Sequence, residues 1–190
     1  IHTNFKEYSL DAEIIKNLLN KKNNEIKILE FGSGWGFWAK FMKELNFNVE
    51  AVEISESRIN HLNKNNIKNY KIINETNKKY DIIFSNQALE HISYPLQTIR
   101  ELYDKLVDNG VMFHKFPSSF LFKRKLLRNY VPKKDCAHPL EHINIFNKKC
   151  FKKICEITNL RKINVKNLNL INKIKTVKNE FIFNQIILRK

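Results

Sequence analysis

The stretch Ile28-Leu29-Glu30-Phe31-Gly32-Ser33-Gly34-Trp35-Gly36 decides the fold class of this 190-residue chain, and it holds three of the four glycines in the sequence. An apolar run over residues 26–31, of the kind that forms a buried strand, leads directly into the glycines, and residues 35–45 have helical spacing. Glycine accepts positive φ and has no Cβ, so the backbone can turn sharply and approach a ligand closely. The pattern predicts a strand, a ligand-binding turn and a helix whose first N–H groups face the ligand.

The glycine spacing narrows the class of ligand. A dinucleotide fingerprint has the form GxGxxG, whereas this turn reads GxGxG and has Glu30 two residues before the first glycine. Glu53 ends a second apolar run 21 residues beyond Gly32, where a carboxylate can accept hydrogen bonds from both hydroxyls of a ribose. We therefore predict a nucleoside ligand other than a dinucleotide. A tight turn without a ligand, and a Glu53 without a role, are the alternatives.

Short β-branched runs alternate with amphipathic stretches along the chain, which is typical of a parallel α/β sheet. Strands are predicted at residues 26–31, 49–54, 71–73, 80–85 and 111–116, and two final β-like runs at 162–171 and 180–188 predict an antiparallel hairpin at the sheet edge. Helices are predicted at residues 9–19, 35–45, 56–63, 96–106 and 148–158. The fourth of these ends at a turn over residues 108–110, and Asn147 caps the fifth.

A single domain is expected over residues 1–190, because no repeat or change of composition marks a boundary. Residues 1–24 form its N-terminal helix and linker. Residues 117–146 interrupt the regular alternation with a segment that is aromatic and basic and contains three prolines and two histidines. Long loops without regular structure are usually functional or disordered. We predict that this segment is a substrate-side lid, and a structural flap over the end of the sheet is the alternative.

Charge and composition bear on partners and compartment. The net charge is +15, with a modest concentration of basic residues over 123–153; we interpret it as a solvated basic surface, with a nucleic-acid groove as the alternative. No apolar run is long enough to cross a bilayer, and no pattern typical of a secretory leader is recognised, so secretion is not expected. Three cysteines, an odd number without CxxC spacing, argue against a disulfide framework. We expect a cytoplasmic protein, and a start at Ile1 rather than Met is compatible with a missing N-terminal piece.

Taken in order, the motifs resemble those of class I S-adenosylmethionine-dependent methyltransferases, in the small-molecule group that includes the ubiquinone-type O-methyltransferases. The matching segments lie within residues 25–160; they are Glu30-Phe31-Gly32-Ser33-Gly34-Trp35-Gly36, Val49-Glu50-Ala51-Val52-Glu53, Tyr80-Asp81-Ile82-Ile83-Phe84-Ser85, Asn86-Gln87-Ala88-Leu89-Glu90-His91-Ile92, Asp108-Asn109-Gly110-Val111 and His138-Pro139-Leu140-Glu141-His142. The resemblance implies a Rossmann-like three-layer α/β sandwich with a seven-stranded, mostly parallel sheet whose last strand is antiparallel. It also implies methyltransferase activity with S-adenosyl-L-methionine as cofactor.

The same resemblance assigns roles on the cofactor side. Glu30 and the glycine turn would face the methionine part of the cofactor, and Glu53 would bind the ribose. The residues that this resemblance places on the cofactor are Glu30, Gly32, Ser33, Gly34, Gly36, Glu53, Asn74, Glu75 and Gln87. Asn74 and Glu75 would approach the adenine from a segment that is shorter than usual, and Gln87 would lie at the cofactor edge after the fourth strand.

His91 and His142 are the candidate catalytic residues. Methyl transfer to a hydroxyl requires alignment of the acceptor and removal of a proton, and histidine is the natural base near neutral pH. A packing or capping role for His91, and a loop-anchoring hydrogen bond for His142, are the alternatives. His114 is expected to be packed within a strand. No metal site is expected, because the spacing of the other candidate ligands fits no common zinc site; they are Cys136, His138, His142 and Cys150.

These features together predict methyl transfer to a small molecule, on oxygen, with a sugar, lipid or quinone precursor as the acceptor. The segment Ser85-Asn86-Gln87-Ala88 lacks the prolines of the motif that base and amide N-methyltransferases have after the fourth strand, which disfavours base methylation. An RNA or protein methyltransferase that docks through the basic 123–153 region is one alternative. A domain that binds the cofactor without catalysis is the other. The acceptor and the oligomeric state are left open.

Overall fold

The computed structural model describes residues 2–117, 119, 122–131, 136–163 and 183–190. Its helices are α1 His2–Leu19, α2 Phe37–Glu44, α3 Glu56–Lys64, α4 Pro95–Asp104, α5 Phe122–Leu126 and α6 Lys148–Thr158. Its strands are β1 Lys27–Phe31, β2 Asn48–Val52, β3 Lys68–Tyr70, β4 Tyr80–Asn86, β5 Leu106–Pro117, β6 Arg161–Lys162 and β7 Phe183–Arg189. Short 3-10 turns occupy Asn23–Glu25, Ile73–Glu75 and Leu89–His91. Residues 164–171 and 180–182 of the predicted terminal runs lie outside the described residues.

The strands form one seven-stranded sheet in the order β3-β2-β1-β4-β5-β7-β6. Strands β1 to β5 pair in parallel, whereas β7 pairs antiparallel with both β5 and β6. Helices α2, α3 and α4 supply crossovers between parallel strands. The predicted seven-stranded, mostly parallel sheet with an antiparallel last strand is therefore confirmed.

Helices cover both faces of the sheet, because successive residues of a buried parallel strand point to opposite faces and both sets are apolar. Ile28, Ile82 and Val111 belong to the core that also contains buried residues of α1, α2 and α3. Leu29 and Ile83 lie in the second core, with buried residues of α4 and α6. The arrangement is the three-layer α/β sandwich that the resemblance implies.

The helix termini follow local sequence signals. The Asn147 side chain accepts hydrogen bonds from the Lys149 and Cys150 backbone N–H groups at 2.9 and 3.1 Å, which confirms it as the N-cap of α6. α1 begins earlier than the predicted 9–19 and buries Ile14 and Ile15 completely.

In the part of the chain that the structure describes, no helix has the length and apolar character needed to cross a bilayer.

The predicted position of the third strand is wrong. The pattern predicts a strand at residues 71–73, but β3 is Lys68–Tyr70 and Ile73 begins a 3-10 turn. β3 lies at the edge of the sheet and pairs with β2 alone. Its residues are exposed or partly buried, so they carry little of the apolar pattern that identifies central strands.

The predicted end of the fourth long helix is also wrong. α4 ends at Asp104, and residues 107–110 form a bulge inside β5 instead of a helix-ending turn. Leu106 pairs with Tyr80, and Val111 pairs with Ile82 two residues further along β4. Leu106 thus belongs to β5. Its apolar side chain lies at helical spacing from Leu102 and Tyr103, so the sequence pattern extends the predicted helix two residues beyond Asp104.

His114 of β5 is packed, as expected, with 1% of its surface exposed. Its Nδ1 lies 2.6 Å from the Ser85 hydroxyl oxygen on the neighbouring strand β4. Burial lowers the pKa of His114 to about 4 from the usual 6.5. Folding therefore opposes protonation of this ring.

We expect acid to destabilise the protein relative to a His114→Gln variant. Between pH 6.5 and about 4 the unfolded histidine binds a proton and the folded one does not, so this contribution to stability is complete above pH 6.5 and is lost as the pH falls. The difference amounts to about 3 kcal/mol. Urea denaturation of both proteins at several pH values measures it. Parallel pH profiles for the two proteins would contradict the prediction.

Candidate active site

The glycine turn lies between β1 and α2, at the carboxyl end of β1. Gly32, Gly34 and Gly36 have φ values of +70°, +58° and +70°, in the left-handed region that favours glycine. A Cβ on Gly32 would lie 2.6 Å from the Ala88 Cβ, and one on Gly36 would lie 2.3 Å from Leu62 Cδ2. A Cβ on Gly34 would meet no atom within 4 Å. Gly32 and Gly36 therefore serve close packing, whereas Gly34 borders open space.

Glu53 connects the end of β2 to this turn. It is 4% exposed, and its Oε2 accepts a hydrogen bond from the Gly34 backbone N–H at 2.8 Å. Its Oε1 accepts from the Ile54 and Ser55 N–H groups at 3.0 Å each, and a guanidinium nitrogen of Arg58 lies 3.8 Å away. The Glu53 carboxylate is thus held at the edge of the open space beside Gly34, where sequence reasoning places a ribose contact.

Two buried polar atoms beside the turn, Glu30 Oε2 and Ser33 Oγ, lack hydrogen-bond partners. Glu30 is 4% exposed and its Oε2 accepts no hydrogen bond, although the Ala39 backbone N–H donates to its carboxyl group. The Ser33 hydroxyl is likewise buried and unpaired. Burial raises the pKa of Glu30 well above its usual range, and the nearby Glu53 and Asp11 carboxylates raise it further. Unpaired buried polar atoms at one place indicate a site for a polar ligand.

The remaining predicted cofactor residues are less buried. Gln87 follows β4 with an exposed side chain and a left-handed φ of +53°, and its N–H donates to the Lys115 carbonyl at 2.9 Å. Asn74 and Glu75 lie in the 3-10 turn after β3, with exposed side chains. The Glu75 carboxylate accepts from the Lys71 N–H at 2.8 Å. Their proposed contacts with the cofactor remain predictions.

The fold brings His91 and His142 together. They are 51 residues apart in the sequence, yet their ring centroids are 4.9 Å apart in an edge-to-face arrangement. The Glu90 carboxylate joins them, so that one ligand atom of each of the three residues lies within 4.8 Å of the others. Two histidines and a carboxylate at this distance from one another could hold a divalent cation. The sequence did not indicate this set, because His142 is far from Glu90 and His91 along the chain.

A backbone carbonyl determines the protonation of His91. Its Nδ1 lies 2.8 Å from the Glu141 carbonyl oxygen, which can only accept a hydrogen bond. Nδ1 therefore carries the proton, and in the neutral ring Nε2 presents a lone pair. A histidine held in this way is suited to take up a proton or to bind a metal ion.

Glu90 is the residue that sequence reasoning missed. It is 2% exposed, and neither of its carboxylate oxygens accepts a hydrogen bond from another residue. Burial raises its pKa, while the charge of His91 lowers it. The Glu90-His91 pair in the short turn after the buried strand β4 is the signal that could have identified it, because the carboxyl ends of parallel strands carry the ligands in such sheets.

The described end of the predicted lid is docked on this cluster. The backbone N–H groups of Ile143 and Asn144 both donate to the Glu90 carbonyl at 3.0 Å, and the Asn144 side chain donates to the Ile92 carbonyl at 2.6 Å. The short helix α5 lies within the predicted lid. Residues 118, 120–121 and 132–135 of the predicted lid lie outside the described residues. Whether the segment is a lid or a flap remains a prediction.

The model of a methyltransferase-domain family matches residues 2–165 of the chain. This chain belongs to that family. Its cofactor is S-adenosylmethionine, and the predicted class I, small-molecule methyltransferase resemblance is confirmed. The methyltransferase is 30% identical over 103 residues to the ubiquinone biosynthesis O-methyltransferase of Pelagibacter ubique (strain HTCC1062). The match covers 50% of this chain and 43% of that protein, so the chain spans less than half of the relative's length.

Solved structures share the fold at low sequence identity. The plantazolicin methyltransferase BamL, crystallised with a triazolic desmethylPZN analog and SAH, superimposes with a TM-score of 0.71 at 14% identity. That match covers 97% of this chain and 84% of BamL. An S-adenosylmethionine-dependent methyltransferase from Mesorhizobium loti gives a TM-score of 0.60 at 10% identity, with 90% and 93% of the two chains covered. Both similarities confirm the Rossmann-like architecture.

The residues of the glycine turn fit S-adenosylmethionine. The open space beside Gly34 is where a Cβ would intrude on a ligand, and the unpaired Glu30 Oε2 and Ser33 Oγ can interact with the polar methionine end. The Glu53 carboxylate can accept hydrogen bonds from ribose hydroxyls. Glu30, Ser33, Gly34 and Glu53 would therefore hold the cofactor, which supplies an electrophilic methyl group on a sulfonium sulfur.

Glu53→Gln is expected to weaken S-adenosylhomocysteine binding by about tenfold or more, because a charged acceptor of two hydrogen bonds becomes a neutral one. Calorimetric titration with S-adenosylhomocysteine measures the change. Glu56→Gln is the matched control, since the exposed Glu56 pairs with Lys71 and begins α3, three residues after Glu53. Equal affinities for Glu53→Gln and the control would remove Glu53 from the cofactor site.

Proposed function

We propose that this methyltransferase transfers the methyl group of S-adenosylmethionine to a hydroxyl oxygen of a small molecule. His91 and His142 together align the hydroxyl and accept the proton that it loses. The observation that carries the proposal is the clustering of Glu90, His91 and His142 within 4.8 Å. The cluster follows β4, at the carboxyl edge of the sheet where the glycine turn also lies. A methyl acceptor between the two groups would face the cofactor on one side and the histidines on the other.

His91 is the better placed of the two histidines to accept the proton. Its Nδ1–H donates to the Glu141 carbonyl, so Nε2 of the neutral ring is left as the basic atom. A hydroxyl that gives up its proton as the new carbon–oxygen bond forms becomes a stronger nucleophile. The buried Glu90 carboxylate can then stabilise the imidazolium by charge.

His142 packs against the His91 ring and lies on the segment whose backbone is bonded to the Glu90 carbonyl. This segment would cover the acceptor and exclude water from the displacement. Acting together, the two rings would align the hydroxyl and share its proton. An in-line displacement requires such alignment.

Glu90, His91 and His142 could also lower the pKa of an acceptor hydroxyl through a bound divalent cation. The two mechanisms predict different responses to chelation. Activity that resists a chelator assigns the proton to a histidine. Activity that is lost with chelator and restored by one metal assigns it to the cation.

Similarity to the ubiquinone biosynthesis O-methyltransferase of Pelagibacter ubique supports oxygen as the methylated atom. The acceptor classes that we propose are a quinone, lipid or sugar precursor, and the expected compartment is the cytoplasm. The alternative is an RNA or protein acceptor that docks on exposed basic residues of the 123–153 region. The basic residues of this region that the structure describes as exposed are Arg124, Lys125, Arg128, Lys149, Lys152 and Lys153.

The test is incubation with S-adenosylmethionine labelled at the methyl carbon and three fractions of a cell extract: small molecules, RNA and protein. The proposal expects label in the small-molecule fraction, in a product whose methyl carbon has the NMR shift of an O-methyl group. Label in RNA or protein would contradict it. Tight binding of S-adenosylhomocysteine without transfer to any fraction would support a non-catalytic domain.

A further inference from the structure

α1 directs two carboxylates into the interior. Glu7 and Asp11 lie one turn apart on the helix face that also buries Ile14 and Leu18, and they are 5% and 0% exposed. The Lys115 ammonium of β5 lies 2.7 Å from Glu7 Oε1, and 2.6 and 2.7 Å from the two Asp11 oxygens. The Lys115 side chain is itself completely buried. We call these three residues the α1 clasp.

The α1 clasp is an unusual way to attach a helix. Burying three charges costs several kcal/mol per ion unless each is paired, and an apolar contact of similar volume is often as stable. Here two carboxylates face one ammonium. Burial raises the pKa of Asp11 to about 6, although Lys115 lowers it. The rest of α1 docks through apolar residues, so the clasp is not needed to bury the helix.

The α1 clasp contacts residues on two sides of the proposed cofactor site: Trp38 of α2, and Gln87 in the loop after β4. On one side, the Trp38 Nε1–H donates to Asp11 Oδ2 at 3.1 Å, and Trp38 belongs to α2, the helix that the glycine turn starts. Trp38 also stacks on Phe84 of β4 with ring centroids 3.9 Å apart. The Lys115 ammonium lies 5.7 Å from the centre of the Phe84 ring.

On the other side, Lys115 pairs with Asn86 across the β4–β5 register, and its carbonyl accepts the Gln87 N–H at 2.9 Å. This bond holds Gln87 in its left-handed conformation. Ala88, the next residue, is the one against which Gly32 packs without room for a Cβ. Lys115 therefore joins α1 by its side chain and the loop beside the glycine turn by its backbone.

We propose that Lys115 is a positioning residue for the cofactor, and that the α1 clasp makes the docking of α1 and the binding of S-adenosylmethionine one coupled equilibrium. When α1 is docked, the clasp holds Trp38 and the Gln87–Ala88 loop in the arrangement that leaves space beside Gly34. Without the ammonium, two buried carboxylates face each other, and α1 moves away from the sheet or takes up protons. Movement of α1 would release Trp38 on one side of the site, and uptake of protons would weaken the hydrogen bond from Trp38 to Asp11.

Coupling of this kind is reciprocal, because a ligand that binds better when α1 is docked also favours the docked state. The amino-acid end of the cofactor carries an ammonium group, which S-adenosylhomocysteine shares, and the site already holds the carboxylates of Glu30 and Glu53. Asp11 is close enough to Glu30 to raise its pKa. Positive charge brought by the cofactor would therefore reduce repulsion that reaches α1.

The first measurement uses the unmodified protein. Hydrogen–deuterium exchange is followed for backbone amides of residues 7–15 with and without saturating S-adenosylhomocysteine. We expect the ligand to slow exchange of these amides by about fivefold or more, within the usual range of coupling between sites. Unchanged exchange in α1, with slowed exchange in the glycine turn, would overturn the proposal.

The second measurement is calorimetric titration of Lys115→Met with S-adenosylhomocysteine. We expect affinity to fall by about tenfold and the ligand to lose its effect on exchange in α1. If this variant does not fold, Asp11→Asn replaces it, because Lys115 then keeps Glu7 as a partner and Asn can still accept from Trp38. A smaller loss of affinity, with a weaker effect on exchange, is expected from Asp11→Asn.

Lys21→Met is the matched control. Lys21 follows α1 and pairs with Asp81 at 2.7 Å. This change also removes an ammonium from an ion pair close to α1, but at the other end of the sheet from the glycine turn. Its affinity for S-adenosylhomocysteine should equal that of the unmodified protein. If Lys115→Met is less stable to urea and yet binds with unchanged affinity, the clasp is only structural.

Discussion

Gly34→Val should lower affinity for S-adenosylhomocysteine by about 100-fold or more while the protein remains folded. The open space beside Gly34 is the part of the turn that no protein atom fills, and a branched side chain would occupy it. Forcing extra atoms into a filled space costs about 1–3 kcal/mol, and the upper end of that range corresponds to a loss of about 100-fold. Calorimetry measures the affinity, and circular dichroism with urea denaturation checks the fold.

Valine at φ +58° is also strained whether or not a ligand is bound, at a cost of about 1–2 kcal/mol. Asn46→Val controls for this strain, because the exposed Asn46 has φ +65° and follows α2, away from the turn. Both variants should lose similar stability, and only Gly34→Val should lose the ligand. Normal binding by Gly34→Val would mean that the turn does not form the floor of the cofactor site.

His142→Ala should reduce methyl transfer by about 100-fold with unchanged affinity for S-adenosylhomocysteine, because His142 and His91 act as one unit in aligning the hydroxyl and removing its proton. The ring lies in the cluster with Glu90 and His91, on the acceptor side of the proposed site. Transfer to the acceptor found in the labelled-cofactor experiment is measured at saturating cofactor. The double variant His91→Ala/His142→Ala should lose little more than either single variant, because residues that act as a unit are not additive.

His138→Ala is the control for this series. His138 lies on the same turn, with its ring centroid 5.6 Å from that of His142, but it is outside the three-residue cluster. Its removal should leave transfer within about threefold of normal. If His142→Ala loses stability and activity in parallel, residues 136–146 act as a structural flap. Unchanged transfer would remove His142 from the mechanism.

Regular, short-range patterns predicted most of the fold. The strand, glycine turn and helix at residues 26–45 are correct in type and within two residues in position, because apolar periodicity and glycine chemistry act between neighbours. Asn147 is correct as a cap for the same reason. The errors occur where pairing with a neighbouring strand determines the bounds of an element. The edge strand β3 lacks an apolar signature, and the bulge at residues 107–110 exists because β5 pairs with Tyr80 before it pairs with Ile82.

Local chemistry in the chain was enough to indicate a nucleoside ligand, since the turn proposed to bind it is built from adjacent residues and one carboxylate at a fixed spacing. The resemblance of the motifs to a known family then indicated S-adenosylmethionine. The cluster of Glu90, His91 and His142, and the α1 clasp, depend on the tertiary structure. His142 reaches His91 because the segment after β5 returns to the end of β4 and bonds to the Glu90 carbonyl. Asp11 reaches Lys115 across 104 residues because α1 packs against the sheet. Burial then changes what these groups can do: it withdraws water from Glu90 and Lys115, and their charges act on whatever the fold places beside them.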